Sequence, residues 1–445
     1  MPQADVVVIG AGLAGLVAAT RLAESGAVVT LVAKGHASTH WGAGGLDVAA
    51  PAGARTPAEG IGQLAALDHP YAFLAADAAP SVGWLLGRLS DSGLPYAGSL
   101  DAPIRRVPTA IGGTRRVAIV PEAQAAALRP WEADEVLVVA GPAGFKDFWP
   151  AAIADSLVRE DVWHGEDRPA HIRGVSVELP GLGARRNLNA LTLANRFDDP
   201  ERRAEDFDLL ARAVGEAAAG RRGRVALPAV FGLANHAEAW ADLRARLPLE
   251  PFEVPLVPPS LPGMRLWQAL RARIRAAGGH VQVGEAVARI EVEHGRVTAV
   301  EMEAATRRHR IRTDAVVLAT GGIAGGGLLA TAEGAIVEPL LGLHVEAPDA
   351  DSWLLREGLD PVGHPIEAAG IRTDPALRPI DPATERASLP NVLVAGALLV
   401  GQRALRERCG DGVAVASGWR AANDLTAETT RTPVGLEPRV ARINQ

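Results

Sequence analysis

The first 32 residues constrain the fold more than any other part of the sequence. Residues 6–9 (VVVI) predict a buried strand, residues 13–25 predict a helix that Gly26 ends, and residues 28–32 predict a second strand. Two strands joined by a crossover helix form a βαβ unit, which needs a parallel sheet. We therefore expect an α/β fold whose sheet recruits further strands from later in the chain.

Three glycines lie between the first strand and the helix. Gly10, Gly12 and Gly15 occur in the run GAGLAG, directly after a strand and at a helix start, which is the context that indicates a dinucleotide site. Gly10 permits the turn, Gly12 lets the backbone approach a pyrophosphate, and Gly15 allows close helix packing. The free N–H groups at the helix start, including those of Leu13 and Ala14, then face the pyrophosphate.

Two distant segments are candidates for the missing strands. Residues 315–319 and 392–395 are short apolar runs closed by glycine, whereas residues 61–262 are punctuated by proline and have weaker periodicity. We therefore predict a discontinuous Rossmann-like FAD-binding domain, residues 1–60 and 263–445, with an inserted α+β cap domain at residues 61–262.

Composition excludes several classes of protein. The chain has 445 residues, of which 48% are hydrophobic, so two lobes with substantial cores are expected. A formal net charge of −7 disfavours binding to a nucleic-acid backbone. With Cys409 as the only cysteine, an internal disulfide and a cysteine-rich metal site are excluded, and no metal site is predicted. Since we find neither a signal peptide nor an apolar run of roughly 20 residues, we expect a cytoplasmic protein.

The later strands favour FAD over NAD. Residues 314–322 (DAVVLATGG) end in a turn at Thr320 and Gly321 that resembles those of flavoprotein oxidoreductases. Residues 391–396 (NVLVAG), which end at Gly396, lead toward a helix predicted at residues 413–424.

The start of that predicted helix is a candidate contact for the flavin. Gly410, Gly412 and Val413 lie where the helix start would face the pyrimidine edge of the ring. The helix dipole stabilises negative charge on a reduced ring by roughly 0.3 to 1 kcal/mol, which favours electron acceptance.

One part of the dinucleotide fingerprint is absent. The acid that usually holds the adenosine ribose, about 20 residues after the glycines, is replaced by Ala33 and Lys34. Lys34 is a candidate phosphate contact instead. FAD is the predicted cofactor, and FMN stays open because it has no adenosine ribose.

Further segments carry a resemblance to a known family. They are residues 40–47 (HWGAGGLD), 68–71 (DHPY), 108–121 (PTAIGGTRRVAIVP), 144–148 (GFKDF), 226–233 (ALPAVFGL), 258–266 (PPSLPGMRL) and 406–416 (RERCGDGVAVA). Together with the glycine fingerprint and the ATGG turn, they make nearly the whole chain resemble the B subunit of the anaerobic, three-subunit glycerol-3-phosphate dehydrogenase. The chain also resembles FAD-dependent oxidoreductases of the fumarate reductase and succinate dehydrogenase flavoprotein type.

The resemblance implies a cytoplasmic flavin subunit, peripheral at the inner face of the cell membrane. It implies a catalytic A subunit and an iron–sulfur C subunit as partners, with electrons passing from glycerol 3-phosphate toward a quinone. Two alternatives stay open: a subunit that only holds flavin as an electron relay or scaffold, and a stand-alone flavin dehydrogenase or oxidase of another 2-hydroxy compound.

Oxidation of a phosphorylated secondary alcohol needs a base for the hydroxyl proton and cations for the phosphate. His69 is a candidate for the base, with stabilisation of a turn as its alternative role. Arg115, Lys146 and Arg265 are candidate contacts for phosphate or substrate, each with a purely structural alternative because arginine is abundant in the chain.

The glycine-rich loop after the second strand is another candidate flavin contact. His40 lies where fumarate-reductase-like flavoproteins place a histidine that bonds covalently to the ring, but its spacing to Gly44 and Gly45 is two residues shorter here. We therefore predict a noncovalent contact.

Overall fold

The computed structural model describes residues 3–182, 188–303, 308–358 and 362–431. In chain order, the strands are β1 (Gln3–Ile9), β2 (Val29–Ala33), β3 (Tyr96–Ala97), β4 (Arg105–Pro108), β5 (Thr114–Val117), β6 (Val120–Pro121), β7 (Val136–Pro142), β8 (His171–Val177), β9 (Gly223–Pro228), β10 (Glu250–Val254), β11 (His280–Val283), β12 (Ala286–Glu293), β13 (Arg296–Glu303), β14 (Arg308–Leu318), β15 (Leu329–Ala330), β16 (Ile336–Val337), β17 (Ile380–Asp381), β18 (Arg386–Ala387) and β19 (Val392–Val394).

The helices are α1 (Leu13–Glu24), α2 (Ser38–Trp41), α3 (Pro57–Ala65), α4 (Tyr71–Asp91), α5 (Pro150–Leu157), α6 (Ala190–Asp198), α7 (Pro200–Ala218), α8 (His236–Arg246), α9 (Leu261–Ala276), α10 (Ala404–Glu407) and α11 (Gly410–Arg431). Short 3-10 helices cover Glu122–Leu128, Glu160–Trp163, Ile323–Gly325, Ala350–Ser352, Pro365–Ala368 and Gly396–Leu398.

A seven-stranded sheet, the large sheet, is built from both ends of the chain. Its order is β11-β2-β1-β14-β13-β12, with β19 also paired to β14. β1 is parallel to β2 and β14, and β19 is parallel to β14. β13 is antiparallel to both of its neighbours, β12 and β14. The strands predicted at residues 315–319 and 392–395 therefore do join the sheet of β1.

Four helices cover the large sheet. α1 packs against α9 and α11, and α11 also packs against α4. The expected boundary at residue 61 assigns α4 to the cap, whereas buried side chains of α4 such as Leu74 and Leu85 belong to the core of the large sheet. The expected domain bounds stay a prediction, with α4 packed on the large-sheet side.

A second sheet, the small sheet, has the order β10-β9-β7-β8, and all its pairings are parallel. Helices α5 to α8 alternate with these strands along the chain. The prediction of an α+β cap is therefore wrong for this part, because strands that alternate with helices give an α/β arrangement. All seven residues of β7 are buried, as expected for a central parallel strand.

Helix α9 belongs to both cores. Leu261 and Met264 at its start lie in the core of the small sheet, and Leu270 and Ile274 lie in the core of the large sheet. The helix starts four residues earlier than the run at residues 265–277 predicts, with Pro262 in its first turn, where proline is tolerated. Within the described ranges, we find no helix with the length and apolarity needed to cross a membrane.

Candidate functional site

The glycine loop after β1 has the geometry that its sequence predicts. Gly10 has a φ of +113°, and a Cβ there would lie 2.1 Å from the Ala319 carbonyl oxygen. A Cβ on Gly15 would lie 2.0 Å from the Gly10 carbonyl oxygen. Gly12 is the N-cap of α1 and provides no side-chain cap, so the N–H groups of Leu13 and Ala14 are left for another acceptor.

The turn after β14 lies beside this loop. Gly321 has a φ of +85°, and the buried Thr320 Oγ1 has no hydrogen-bond partner among the described residues. Gly396 approaches α1 from β19: its φ is +72°, and a Cβ there would lie 2.9 Å from the Ala14 Cβ. The structure thus brings together the predicted contacts from three separate parts of the chain.

His40 lies against the same loop. It is buried, and its ring centroid is 5.6 Å from that of Trp267, whose Nε1 donates to the Ala11 carbonyl oxygen at 3.1 Å. Burial, followed by the charge of His36, lowers the pKa of His40. Its Nδ1 has no hydrogen-bond partner in the described part of the chain, so a neutral imidazole offers a polar atom to a ligand. Lys34 is exposed at the end of β2.

The loop from His40 to Asp47 is held by contacts with α9, β3 and β5. Gly44 has a φ of +81°, and a Cβ there would lie 2.5 Å from the Pro262 Cβ. Tyr96 Oη donates to the Gly44 carbonyl oxygen at 2.7 Å. A Cβ on Gly45 would lie 3.2 Å from Val117 Cγ2, so this loop passes close to the β4–β5 hairpin.

Two carboxyl groups and two arginines meet at the end of this loop. They form what we term the carboxylate–arginine cluster: Asp47, Arg115, Arg408 and Asp411. Arg115 Nη2 donates to Asp47 Oδ1 at 2.9 Å, and Arg408 Nη1 lies 3.5 Å from Asp47 Oδ2. The Asp47 N–H donates to Asp411 Oδ2 at 2.9 Å. Burial and the neighbouring Asp47 raise the pKa of Asp411 to about 7.

Helix α11 starts at Gly410, three residues before the predicted start at residue 413. Glycine has a low helix propensity, but at position 412 the helix lies so close to its neighbours that no side chain fits. A Cβ on Gly412 would lie 2.1 Å from Tyr71 Oη and 2.5 Å from the Val48 carbonyl oxygen. Gly410, Gly412 and the buried Val413 therefore place the start of the helix beside the His40–Asp47 loop.

A cavity of about 540 Å³ lies on the other side of the segment that leads into α11. Its charged lining consists of Asp68, Glu346, Arg403 and Glu407, together with the buried His69. Asp68 and Glu346 both pair with Arg372. Arg403 adds a positive charge to the lining of the cavity.

His69 uses both ring nitrogens. Its Nδ1 accepts the Tyr71 N–H at 3.1 Å, and its Nε2 lies 3.3 Å from Glu407 Oε2. His69, Glu407 and Cys409 offer donor atoms within 4.8 Å of one another, a spacing that could hold a metal ion. However, a neutral imidazole whose Nδ1 accepts a hydrogen bond carries its proton on Nε2, which therefore cannot ligate a metal. The three side chains form a hydrogen-bonded network instead.

Arg265 and Lys146 lie apart from these contacts. The buried Arg265 donates from Nη1 to Glu253 Oε2 at 2.6 Å and from Nη2 to the Gly232 carbonyl oxygen at 2.7 Å. Its guanidinium is thus engaged by the small sheet. Lys146 is exposed in the loop after β7, where its carbonyl oxygen accepts the Trp149 indole N–H. The substrate roles of both residues stay predictions.

Sequence reasoning missed Asp47, Asp411 and Glu407 as site residues. Asp47 and Asp411 each follow glycines in segments singled out for another reason, and a carboxylate in a glycine-rich loop was the available signal. Glu407 had no such signal, because its role depends on contacts with His69 and Cys409 that only the fold creates.

Comparisons with known proteins agree with this geometry. The family described as "FAD binding domain" matches residues 5–413. The B subunit of the anaerobic glycerol-3-phosphate dehydrogenase of Yersinia enterocolitica is 33% identical over 95% of this chain and 98% of its own length. The chain belongs to the family of anaerobic glycerol-3-phosphate dehydrogenase B subunits. The predicted family resemblance is therefore confirmed.

A second relative with a similar name matches over nearly the same length. The probable B subunit of the same enzyme in Halobacterium salinarum is 31% identical over 94% of this chain and 97% of its own length. Among solved structures, the 3-ketosteroid-Δ4-(5α)-dehydrogenase of Rhodococcus jostii RHA1 aligns with 96% of this chain and 97% of its own, at 13% identity and a TM-score of 0.41.

FAD is the cofactor of this chain, as predicted. The residues present fit it, because the N-terminus of α1 is left uncapped beside a glycine loop in which Gly10 and Gly15 have no room for a side chain. The unpartnered Thr320 Oγ1 and His40 Nδ1 provide further polar atoms along the same crevice.

Proposed function

We propose that this chain oxidises glycerol 3-phosphate to dihydroxyacetone phosphate and passes the electrons to a quinone through partner subunits. The main observation that supports this proposal is the cavity lined by Arg403, Glu407 and His69, which borders the segment that leads into α11. The names of the relatives supply the substrate. The proposed partners are a catalytic A subunit and an iron–sulfur C subunit, and the proposed location is the cytoplasm, peripheral at the inner face of the membrane.

Residues from both predicted parts of the chain line the cavity. Asp68 and His69 come from residues 61–262, and Gly401 and Glu407 come from residues 263–445. We propose that the first part acts as the substrate-side cap and that residues 1–60 and 263–445 form the Rossmann-like FAD domain. Ligands of such folds bind beyond the carboxyl ends of the strands, where these two parts meet.

The FAD pyrophosphate would lie at the start of α1, and the ring would lie along the His40–Asp47 loop and the residues from Gly396 to Val413. FAD supplies the hydride acceptor when bound. Arg403 provides the positive charge that binds the substrate phosphate.

Glu407 would accept the hydrogen bond, and then the proton, of the substrate hydroxyl. Burial raises the pKa of Glu407, but interactions with His69 and with the Arg403 N–H, which donates at 2.7 Å, outweigh burial and lower it. Glu407 is therefore ionised at neutral pH and can act as an acceptor. His69 positions Glu407 through the 3.3 Å contact between Nε2 and Oε2.

The test is anaerobic addition of glycerol 3-phosphate to the chain purified with the flavin that it retains, followed by absorbance spectroscopy. We expect the oxidised flavin band to bleach, and mass spectrometry of the released cofactor to identify FAD. A flavin that stays oxidised while dithionite still reduces it would refute substrate oxidation and leave the relay or scaffold role. Released FMN would refute the FAD placement.

Arg403→Met tests the role of the cation. We expect the concentration of glycerol 3-phosphate needed for half-maximal bleaching to rise at least about tenfold, because a charge-assisted hydrogen bond contributes roughly 1.5 to 3 kcal/mol. The matched control is Arg289→Met, which removes an exposed arginine from β12. Equal effects of the two substitutions would show that Arg403 does not bind the substrate.

A further inference from the structure

The carboxylate–arginine cluster is not used by the substrate chemistry proposed above. We propose that Asp411 is the residue that takes up a proton when the bound flavin is reduced. This inference rests on the proposed placement of the flavin beside the start of α11, and it does not depend on which substrate supplies the electrons.

The backbone holds the two carboxyl groups of the cluster together. The N–H groups of Asp411 and Gly412 donate to the Asp47 carbonyl oxygen at 3.1 Å and 3.2 Å. In return, the Asp47 N–H donates to Asp411 Oδ2 at 2.9 Å. These reciprocal hydrogen bonds join the His40–Asp47 loop to the first turn of α11, so the two carboxyl groups cannot move apart without breaking them.

The arginines of the cluster bond to Asp47, and the charge of Arg115 also acts on Asp411, where it lowers the pKa against the larger effect of burial. Arg115 Nη2 bonds Asp47 Oδ1 at 2.9 Å, and Arg408 approaches Asp47 Oδ2 at 3.5 Å. The other groups that interact electrostatically with Asp411 are uncharged at neutral pH. They are the phenols of Tyr71 and Tyr96 and the thiol of Cys409, whose pKa values burial raises.

Asp411 therefore has a neighbouring negative charge and, among the residues that the structure describes, no arginine within ion-pair distance. Its pKa of about 7 leaves both protonation states accessible at neutral pH. Two electrons delivered to the adjacent flavin add negative charge near the carboxylate, and like charge favours the neutral form of an acid. One proton then moves from solvent to the Asp411 carboxylate. The electrons come from the reductant, and no bond to carbon forms or breaks at Asp411.

The primary test is the midpoint potential of the bound flavin as a function of pH, measured by spectroelectrochemistry on the full chain. We expect the wild-type potential to fall more steeply above about pH 7 than that of Asp411→Asn, because only the wild type couples a titrating carboxyl to reduction and because Asp411 is protonated in both redox states below this pH. The control Asp101→Asn, at an exposed aspartate, should follow the wild-type curve. Parallel curves for the wild type and Asp411→Asn would overturn the proposal.

A second measurement needs no variant. Dithionite serves as the reductant, at a pH of about 7.5, where most of the Asp411 carboxyl is ionised before reduction. The reduced-minus-oxidised infrared difference spectrum of the wild-type chain should then gain the carbonyl band of a protonated carboxyl group. The band should shift in deuterated buffer. A spectrum without this band would refute proton uptake by Asp411 even if Asp411→Asn fails to fold. Because dithionite replaces glycerol 3-phosphate, this outcome leaves the proposed substrate oxidation standing, and a failure of substrate oxidation leaves this inference standing.

Discussion

At the scale of single residues, Gly15 and Gly83 both lie in helices, but their replacement by alanine should have opposite effects on the protein. A Cβ on Gly15 would lie 2.0 Å from the Gly10 carbonyl oxygen, whereas a Cβ on Gly83, exposed in α4, would meet nothing within 4 Å. We expect Gly15→Ala to push α1 away from the glycine loop and abolish FAD retention. Gly83→Ala should retain FAD and raise the free energy of unfolding by up to about 1 kcal/mol.

The measurements are flavin absorbance per mole of purified protein and urea unfolding of both variants. Full flavin content in Gly15→Ala would contradict the role of the close approach between α1 and the loop.

Two adjacent arginines show why residue roles are hard to infer from sequence. Arg115 reaches Asp47 in the cluster, whereas Arg116 donates from Nη1 to the Ala50 carbonyl oxygen at 3.1 Å and fixes the following loop. Successive residues of a strand point to opposite faces. The sequence therefore indicates that only one of the two arginines can point into the site. Which of them does so depends on the pairing of β4 with β5, which cannot be read from the sequence.

At the scale of secondary-structure elements, we predict that Arg265 at the start of α9 stabilises the fold. Arg265→Met would leave the fully buried Glu253 carboxylate without its ion-pair partner. Loss of one partner of a buried pair costs roughly 3 to 5 kcal/mol. We expect the free energy of unfolding in urea to fall by this amount, and the double variant Arg265→Met/Glu253→Gln to recover part of it. Arg275→Met, at an exposed position on the same helix, should have little effect.

A different outcome would restore the substrate role. If Arg265→Met kept its stability while half-maximal bleaching by glycerol 3-phosphate required more substrate, Arg265 would be a substrate contact, as the sequence alone suggested.

The elements themselves differ in how well their sequences encode them. The hairpin of β12 and β13 and the strand β11 follow from alternating apolar residues and from the turn at residues 294–295. The start of α11 does not, because its glycines are poor helix formers selected by contact with Tyr71 and Val48. β7 and β9 of the small sheet are buried on both faces, so their short apolar runs carry no alternation that would reveal their parallel pairing.

At the scale of the whole molecule, long-range pairing could be predicted where both partners are strongly apolar. The pairing of β14 with β1, across some 300 residues of sequence, and of β19 with β14 follows from apolar runs that end in glycine. The packing of α4 against α11 could not be predicted, since an amphipathic helix does not encode which core it will join.

The two cores are joined by contacts that predict a single cooperative unit. α9 contributes side chains to both cores, and Arg115 of β5 bonds Asp47. Ligand that binds only the folded chain stabilises everything that unfolds together, by about 2.7 kcal/mol at a free concentration of 100 times the dissociation constant. FAD at that concentration should therefore slow the most protected amides of the large and small sheets alike, by about 100-fold.

Hydrogen exchange of the FAD-free and FAD-loaded chain, followed by mass spectrometry, checks this expectation. β1 in the large sheet and β7 in the small sheet are the diagnostic strands, because both are buried and central. If only β1 slowed, the small sheet would open independently of the FAD site, and α9 would not couple the two cores. Equal slowing in the wild type that becomes unequal in Arg265→Met would identify the start of α9 as the coupling element, since that substitution breaks the contact between α9 and β10 without touching the glycine loop.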